Sequence, residues 1–83
     1  MYSVLISEKA KRQLEKLPKN IKEIVLNKIY SIRDNPFSYL KKLGGSKLWR
    51  LRIMDYRTIV DVIVIESKIV ILTIDKRSRV YDR

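Results

Sequence analysis

On the two sides of Gly44-Gly45 the apolar residues keep different periods, and that change limits the fold more than any other feature of the chain. Upstream, Ala10, Leu14 and Leu17 fall at i, i+4 and i+7, and Ile21, Ile24, Val25, Ile29 and Ile32 continue at helical spacing. Downstream, Trp49, Leu51 and Ile53 alternate with Arg50 and Arg52, as in a strand with one buried and one wet face. Helices followed by strands make an α+β domain in which the helices cover one face of a sheet. The chain has 83 residues, enough for one core, so residues 1–83 read as a single domain.

Local signals divide this plan into elements. Residues 2–6 read as an opening strand with Val4 and Ile6 on one face. Ser7 is an N-cap for the first helix, which Pro18 ends. A second helix begins near Asn20 and stops at Asp34-Asn35-Pro36, so the two form a helical hairpin. Its core face is Ile21, Ile24, Val25, Ile29 and Ile32, while Leu26 and Tyr30 share a different face. Residues 35–46 read as a loop, followed by strands over 47–53, 56–65 and 69–74. The last is apolar on both faces and is expected at the centre of the sheet. The expected order is β-α-α-β-β-β, antiparallel through its last three strands.

Composition excludes several kinds of chemistry. The sequence contains no cysteine, hence no disulfide framework and no thiolate, which suits a reducing cytoplasm. It contains no histidine either, which removes the commonest general base and the commonest metal ligand. The most apolar stretch, residues 59–74, is interrupted by Asp61, Glu66 and Lys68, whereas a membrane span needs about 20 mostly apolar residues. The N-terminus meets Glu8 and Lys9 after a short apolar run, so no secretory signal is expected. With 46% apolar residues the chain is too hydrophobic to remain disordered.

The net charge is +10, and it is unevenly spread. Residues 41–57 carry Lys41, Lys42, Lys47, Arg50, Arg52 and Arg57 against Asp55 alone, a net +5, and residues 76–83 add +3. Two short blocks therefore hold +8 of the total, a distribution suited to a polyanionic partner. Arg50 and Arg52 point to the same side of their strand, about 7 Å apart. Arg57 follows at the start of the next strand, and Arg77 and Tyr81 follow the last one. If these strands pair in sequence, Arg52, Arg57 and Arg77 converge at one side of the sheet. Guanidinium forks of this kind clamp phosphate oxygens, and a tyrosine beside them stacks on a base or handles a proton. Each feature also has a plainer explanation. Alternating arginines form a solvated strand face, Arg57 pairs with Asp61 on its own strand, and an Arg/Tyr terminus frays. Trp49, opposite the arginines, reads as core.

The run Leu48-Trp49-Arg50-Leu51-Arg52-Ile53-Met54-Asp55-Tyr56-Arg57 resembles the central signature of the RelE/ParE toxin superfamily. The ending Lys76-Arg77-Ser78-Arg79-Val80-Tyr81 resembles that family's closing motif, in which histidine or lysine and then arginine stand two residues ahead of Val-Tyr. The resemblance extends to chain length, opening strand, helical hairpin and the Leu43-Gly44-Gly45 segment. It implies a RelE-like fold and the toxin of a type II toxin–antitoxin system. For the RelE branch it implies a ribosome-dependent, metal-independent endoribonuclease that cleaves messenger RNA at A-site codons and needs no cofactor.

The same resemblance assigns roles. Arg57 matches the arginine at the scissile phosphate, Arg77 the arginine that stabilises charge or assists the leaving group, and Tyr81 the C-terminal catalytic tyrosine. Arg50 and Arg52, with Lys47 and Lys76, fall among the family's RNA-holding residues, and Arg79 is a further arginine for RNA. The implied partners are a cognate RelB-like antitoxin, the ribosome and its message, with the toxin–antitoxin complex a higher-order assembly and no membrane involved. Leu26 and Tyr30 are candidates for the antitoxin contact. Lys76 stands where many members carry histidine, and Met54 where a glycine is common in the turn.

The chemistry suits these residues. RNA supplies its own nucleophile, the ribose 2′-hydroxyl, so the protein has to align the chain and stabilise charge on the phosphorane-like transition state. Tyrosine has an unperturbed pKa of about 10, and neighbouring cations favour its phenolate, making Tyr81 a candidate general base. A relative of the ParE type, binding DNA gyrase without nuclease activity, and a nuclease-dead basic module are the alternatives. The set Arg57, Arg77 and Tyr81 favours the nuclease.

Overall fold

The computed structural model describes residues 1–76. Strand β1 (Ser3–Ile6) leads into helix α1 (Glu8–Glu15) and helix α2 (Lys19–Ser31). A 3-10 turn at Pro36–Ser38 is followed by β2 (Lys41–Lys42), β3 (Trp49–Ile53), β4 (Tyr56–Ile63) and β5 (Lys68–Lys76). The expected α+β architecture is present, with one strand more than the sequence suggested. The sheet order is β1-β5-β4-β3-β2, parallel between β1 and β5 and antiparallel elsewhere.

The two helices cover one face. Ala10 and Leu14 of α1, Val25 and Ile29 of α2, and Ile32 just beyond it are buried against Leu51, Ile53, Val60, Ile69, Ile71 and Ile74. Each of the larger side chains, the leucines, isoleucines and valines, contributes about 1.5–3 kcal/mol by leaving water. Ser7 caps α1 as its sequence position suggests, its Oγ accepting from the Ala10 N–H at 3.1 Å. The same hydroxyl donates to the Leu72 carbonyl at 2.9 Å, and the Ser7 N–H donates to the Ile71 carbonyl at 3.0 Å. One residue therefore joins the end of β1, the start of α1 and the edge of β5.

Beyond Ile71 β5 has no β1 partner, and α1 takes over that edge. The Gln13 side chain accepts from the Ile74 N–H at 2.7 Å and donates to the Asp75 carboxylate at 3.0 Å. The register of β4 and β5 slips between Ile59 and Val60, leaving Leu72 as an extra residue on β5. Strict alternation from Ile69 and Ile71 would have put Thr73 and Asp75 under the helices. The bulge turns Ile74 inward instead and brings Asp75 into register with Arg57, at the edge where Gln13 reaches its carboxylate.

Several boundaries differ from the sequence expectation, for physical reasons. The loop over residues 35–46 contains β2, two lysines with no apolar alternation to betray a strand, paired with Arg50 and Trp49. Val64 and Ile65 look like strand but belong to a 3-10 turn at Val64–Glu66, closed by Ser67 at φ 54°, so Ile65 is 93% exposed. Strand β5 is interior but lies beside β1, and β4 occupies the centre. Ile24 falls at helical spacing yet is 44% exposed, because the buried stripe runs through Val25 and Ile29. Among the described residues no helix is long and apolar enough to cross a membrane.

Candidate nucleic-acid interface

The sheet face away from the helices carries the arginines. Because Leu51 and Ile53 turn inward, Arg50 and Arg52 turn outward, and Arg57 of β4 faces the same way because Thr58 and Val60 are buried. The antiparallel register then makes Arg52 and Arg57 direct cross-strand neighbours. Arg50 lies opposite Ile59 on one side and Lys41 on the other. The β3–β4 turn that sets this register is two residues long, with Met54 in the left-handed region at φ 55°.

The alternative pairing of Arg57 with Asp61 does not form. Asp61 is engaged by Lys47, Nζ to Oδ2 3.4 Å. None of the ion pairs among the described residues includes Arg50, Arg52 or Arg57. The Nε of Arg57 is buried and has no hydrogen-bond partner among the described residues. An unmet donor of this kind is costly in a folded protein, and because it is shielded from solvent an anion at this face would meet the guanidinium through its other nitrogens.

The other sequence candidates separate. Lys47 flanks the face but is held by Asp61. Lys76 pairs with Tyr56, so it lies on the helix side, where with Gln13, Lys16 and Leu17 it lines a cavity of about 340 Å³. Leu26 packs partly against the core. Tyr30 is 40% exposed, with the Arg33 guanidinium 5.2 Å from its ring centroid. Trp49 is half-buried against the core as expected, its ring 5.0 Å from that of Phe37. Arg77, Arg79 and Tyr81 lie outside the described residues.

A second basic site, not legible from linear spacing, lies at the edge of β3. A cavity of about 320 Å³ is lined by Lys28, Tyr39, Lys41, Arg50, Leu51 and Arg52. Lys28 comes from α2 and Tyr39 from the segment ahead of β2, so no linear spacing could have joined them to the arginines. Among the described residues no group of three or more histidine, cysteine, aspartate or glutamate side chains is arranged to hold a metal ion.

Comparison with known proteins places this arrangement. The family described as "ParE toxin of type II toxin-antitoxin system, parDE" matches residues 4–81. A comparison with curated proteins found no match. Among solved structures, the RelBE2 toxin–antitoxin complex of Mycobacterium tuberculosis aligns with TM-score 0.82 at 25% identity, over 92% of this chain and 98% of that one. The archaeal RelE–RelB complex of Pyrococcus horikoshii aligns with TM-score 0.81 at 29% identity, over 94% and 97%. The isolated RelE toxin of Escherichia coli shares the fold, with TM-score 0.79 at 22% identity over 98% and 92%. The order of elements, the five-stranded sheet under two helices and a match over nearly the whole sequence agree: the chain is a toxin of the type II toxin–antitoxin class and belongs to the ParE toxin family of the RelE/ParE superfamily.

Proposed function

We propose that this toxin is a messenger-RNA endonuclease of the RelE type, acting on codons in the ribosomal A site. The observation that carries the reading is Arg57, directly opposite Arg52 and, like it, in no ion pair among the described residues. A phosphodiester over the uncovered face would accept from the outer nitrogens of the Arg57 guanidinium while Arg50 and Arg52 hold the adjoining backbone. The ribose 2′-hydroxyl then attacks the adjacent phosphorus and the bond to the 5′-oxygen breaks, leaving a 2′,3′-cyclic phosphate and a 5′-hydroxyl. One proton leaves the 2′-oxygen and one reaches the departing oxygen. Arg57 stabilises the charge that builds on the phosphoryl oxygens, and an arginine does so without titrating. Arg77 and Tyr81 are assigned to leaving-group stabilisation and proton transfer by their match to the closing motif.

The partner in this reading is a cognate RelB-like antitoxin, as in the complexes of similar fold. An acidic, extended or helical antitoxin segment suits a chain of net charge +10. The family match itself favours a second reading, a gyrase inhibitor of the ParE kind without nuclease activity. In vitro translation with purified toxin, mapping the message by primer extension, separates the two. Cuts at A-site codons support the nuclease. An intact message with inhibited gyrase supercoiling overturns it in favour of the second reading.

A further inference from the structure

Along its outer edge, β3 is paired with β2 only through Trp49 and Arg50, because β2 is two residues long. Past that point no strand among the described residues pairs with the edge, and the cavity of about 320 Å³ opens there. Four of its six lining residues are cations, Lys28, Lys41, Arg50 and Arg52, and none is acidic. None of the four takes part in an ion pair among the described residues. The fifth polar group is Tyr39, 50% exposed, with the Lys28 ammonium 4.9 Å from its ring centroid. Like charges lining one cleft repel one another, and a bound anion would relieve that repulsion.

We propose that this cleft is a second nucleotide subsite, holding a phosphate and base that flank the cut in the same RNA strand; it rests on the nuclease reading above. Continuity argues for the strand. Arg50 and Arg52 belong both to the face shared with Arg57 and to the cleft wall, and neighbouring strands lie about 5 Å apart. The cleft is therefore one to two strand spacings from Arg57, within reach of a neighbouring nucleotide. Its volume is at the small end of the roughly 300–1,000 Å³ of ligand pockets. A ring with a cation over it favours a nucleotide over a plain acidic peptide. Tyr39 offers its open side for base stacking, while Lys28, Lys41, Arg50 and Arg52 take the phosphate. The subsite selects for single-stranded RNA, since a base held in a duplex cannot turn onto the tyrosine.

The test is binding of a single-stranded oligoribonucleotide made non-cleavable by 2′-O-methyl groups, followed by anisotropy across a salt series. Wild-type protein is compared with Lys28→Gln, Tyr39→Ala, Tyr39→Phe and Arg57→Gln, with matched thermal melts as the folding control. Tyr39→Ala is expected to weaken binding by about five-fold or more and Tyr39→Phe to restore most of it, as loss of one stacked base requires. Lys28→Gln is expected to reduce the slope of log affinity against log salt by about 0.7, one phosphate contact to a single strand. If Arg57→Gln weakens binding while Lys28→Gln and Tyr39→Ala bind as wild type, the subsite is overturned and the nuclease reading stands. If Tyr39→Ala loses an acidic peptide but keeps RNA, the cleft is a protein-docking site and the proposal fails. If the dependence on Tyr39 and Lys28 is found while translated message stays intact, the nuclease reading fails, and the placement of this subsite beside a cut fails with it.

Discussion

Arg52 and Arg57 face each other across β3 and β4, two guanidinium groups in direct cross-strand register on the uncovered side of the sheet. Like charges so placed destabilise a sheet by roughly 0.2–1 kcal/mol, and Asp75 on the far side of Arg57 makes no ion pair with it. Folding alone would not select this pair. An anionic ligand bridging the two arginines, as the proposed function requires, would account for it.

Arg52→Gln is therefore expected to raise the unfolding free energy by up to about 1 kcal/mol while weakening RNA binding. Urea denaturation and oligonucleotide binding, measured on the same preparation, check both halves. A variant that loses stability would show that Arg52 is held by contacts other than its charge.

Thr58 is fully buried under the helices, and its hydroxyl has no hydrogen-bond partner among the described residues. Replacing that hydroxyl with a methyl group removes an unmet polar atom at almost constant volume. Thr58→Val is expected to stabilise the protein by about 1–2 kcal/mol, read as a higher urea midpoint at unchanged slope. A lower midpoint would mean that the hydroxyl is bonded in solution.

Met54 occupies the β3–β4 turn at φ 55°, a region that costs a side chain about 1–2 kcal/mol. Glycine relieves that strain but adds about 0.5–1 kcal/mol of unfolded-state entropy. Met54→Gly should give a net gain of about 0.5 kcal/mol by thermal unfolding, with the register between Arg52 and Arg57 kept. A clear loss would point to packing of the half-exposed methionine.

The sequence discloses the sheet face better than the cleft, for identifiable reasons. Burial of Leu51 and Ile53 is legible from alternation, and it fixes where Arg50 and Arg52 point. The Ser7 cap is legible because its signal is local. The bulge at Leu72 is not, since every residue of β5 from Ile69 to Leu72 is apolar and either parity suits it. That bulge decides that Asp75 comes into register with Arg57 and that Lys76 does not. The pairing of Asp61 with Lys47 was equally hidden, because Arg57 stood nearer on its own strand. Lys28, Tyr39 and Lys41 come together only through tertiary packing around a two-residue strand. The closing motif, with Arg77 and Tyr81, was legible as a resemblance and lies outside the described residues.

The role proposed for Arg57, stabilising charge at a scissile phosphate, is tested by single-turnover cleavage of an A-site codon on programmed ribosomes by wild-type and Arg57→Ala toxin. The account predicts a fall in cleavage rate of about 10²-fold or more, comparable to removal of a transition-state donor elsewhere, with toxin–ribosome binding largely retained. An Arg57→Ala toxin that cleaves at the wild-type rate would contradict it.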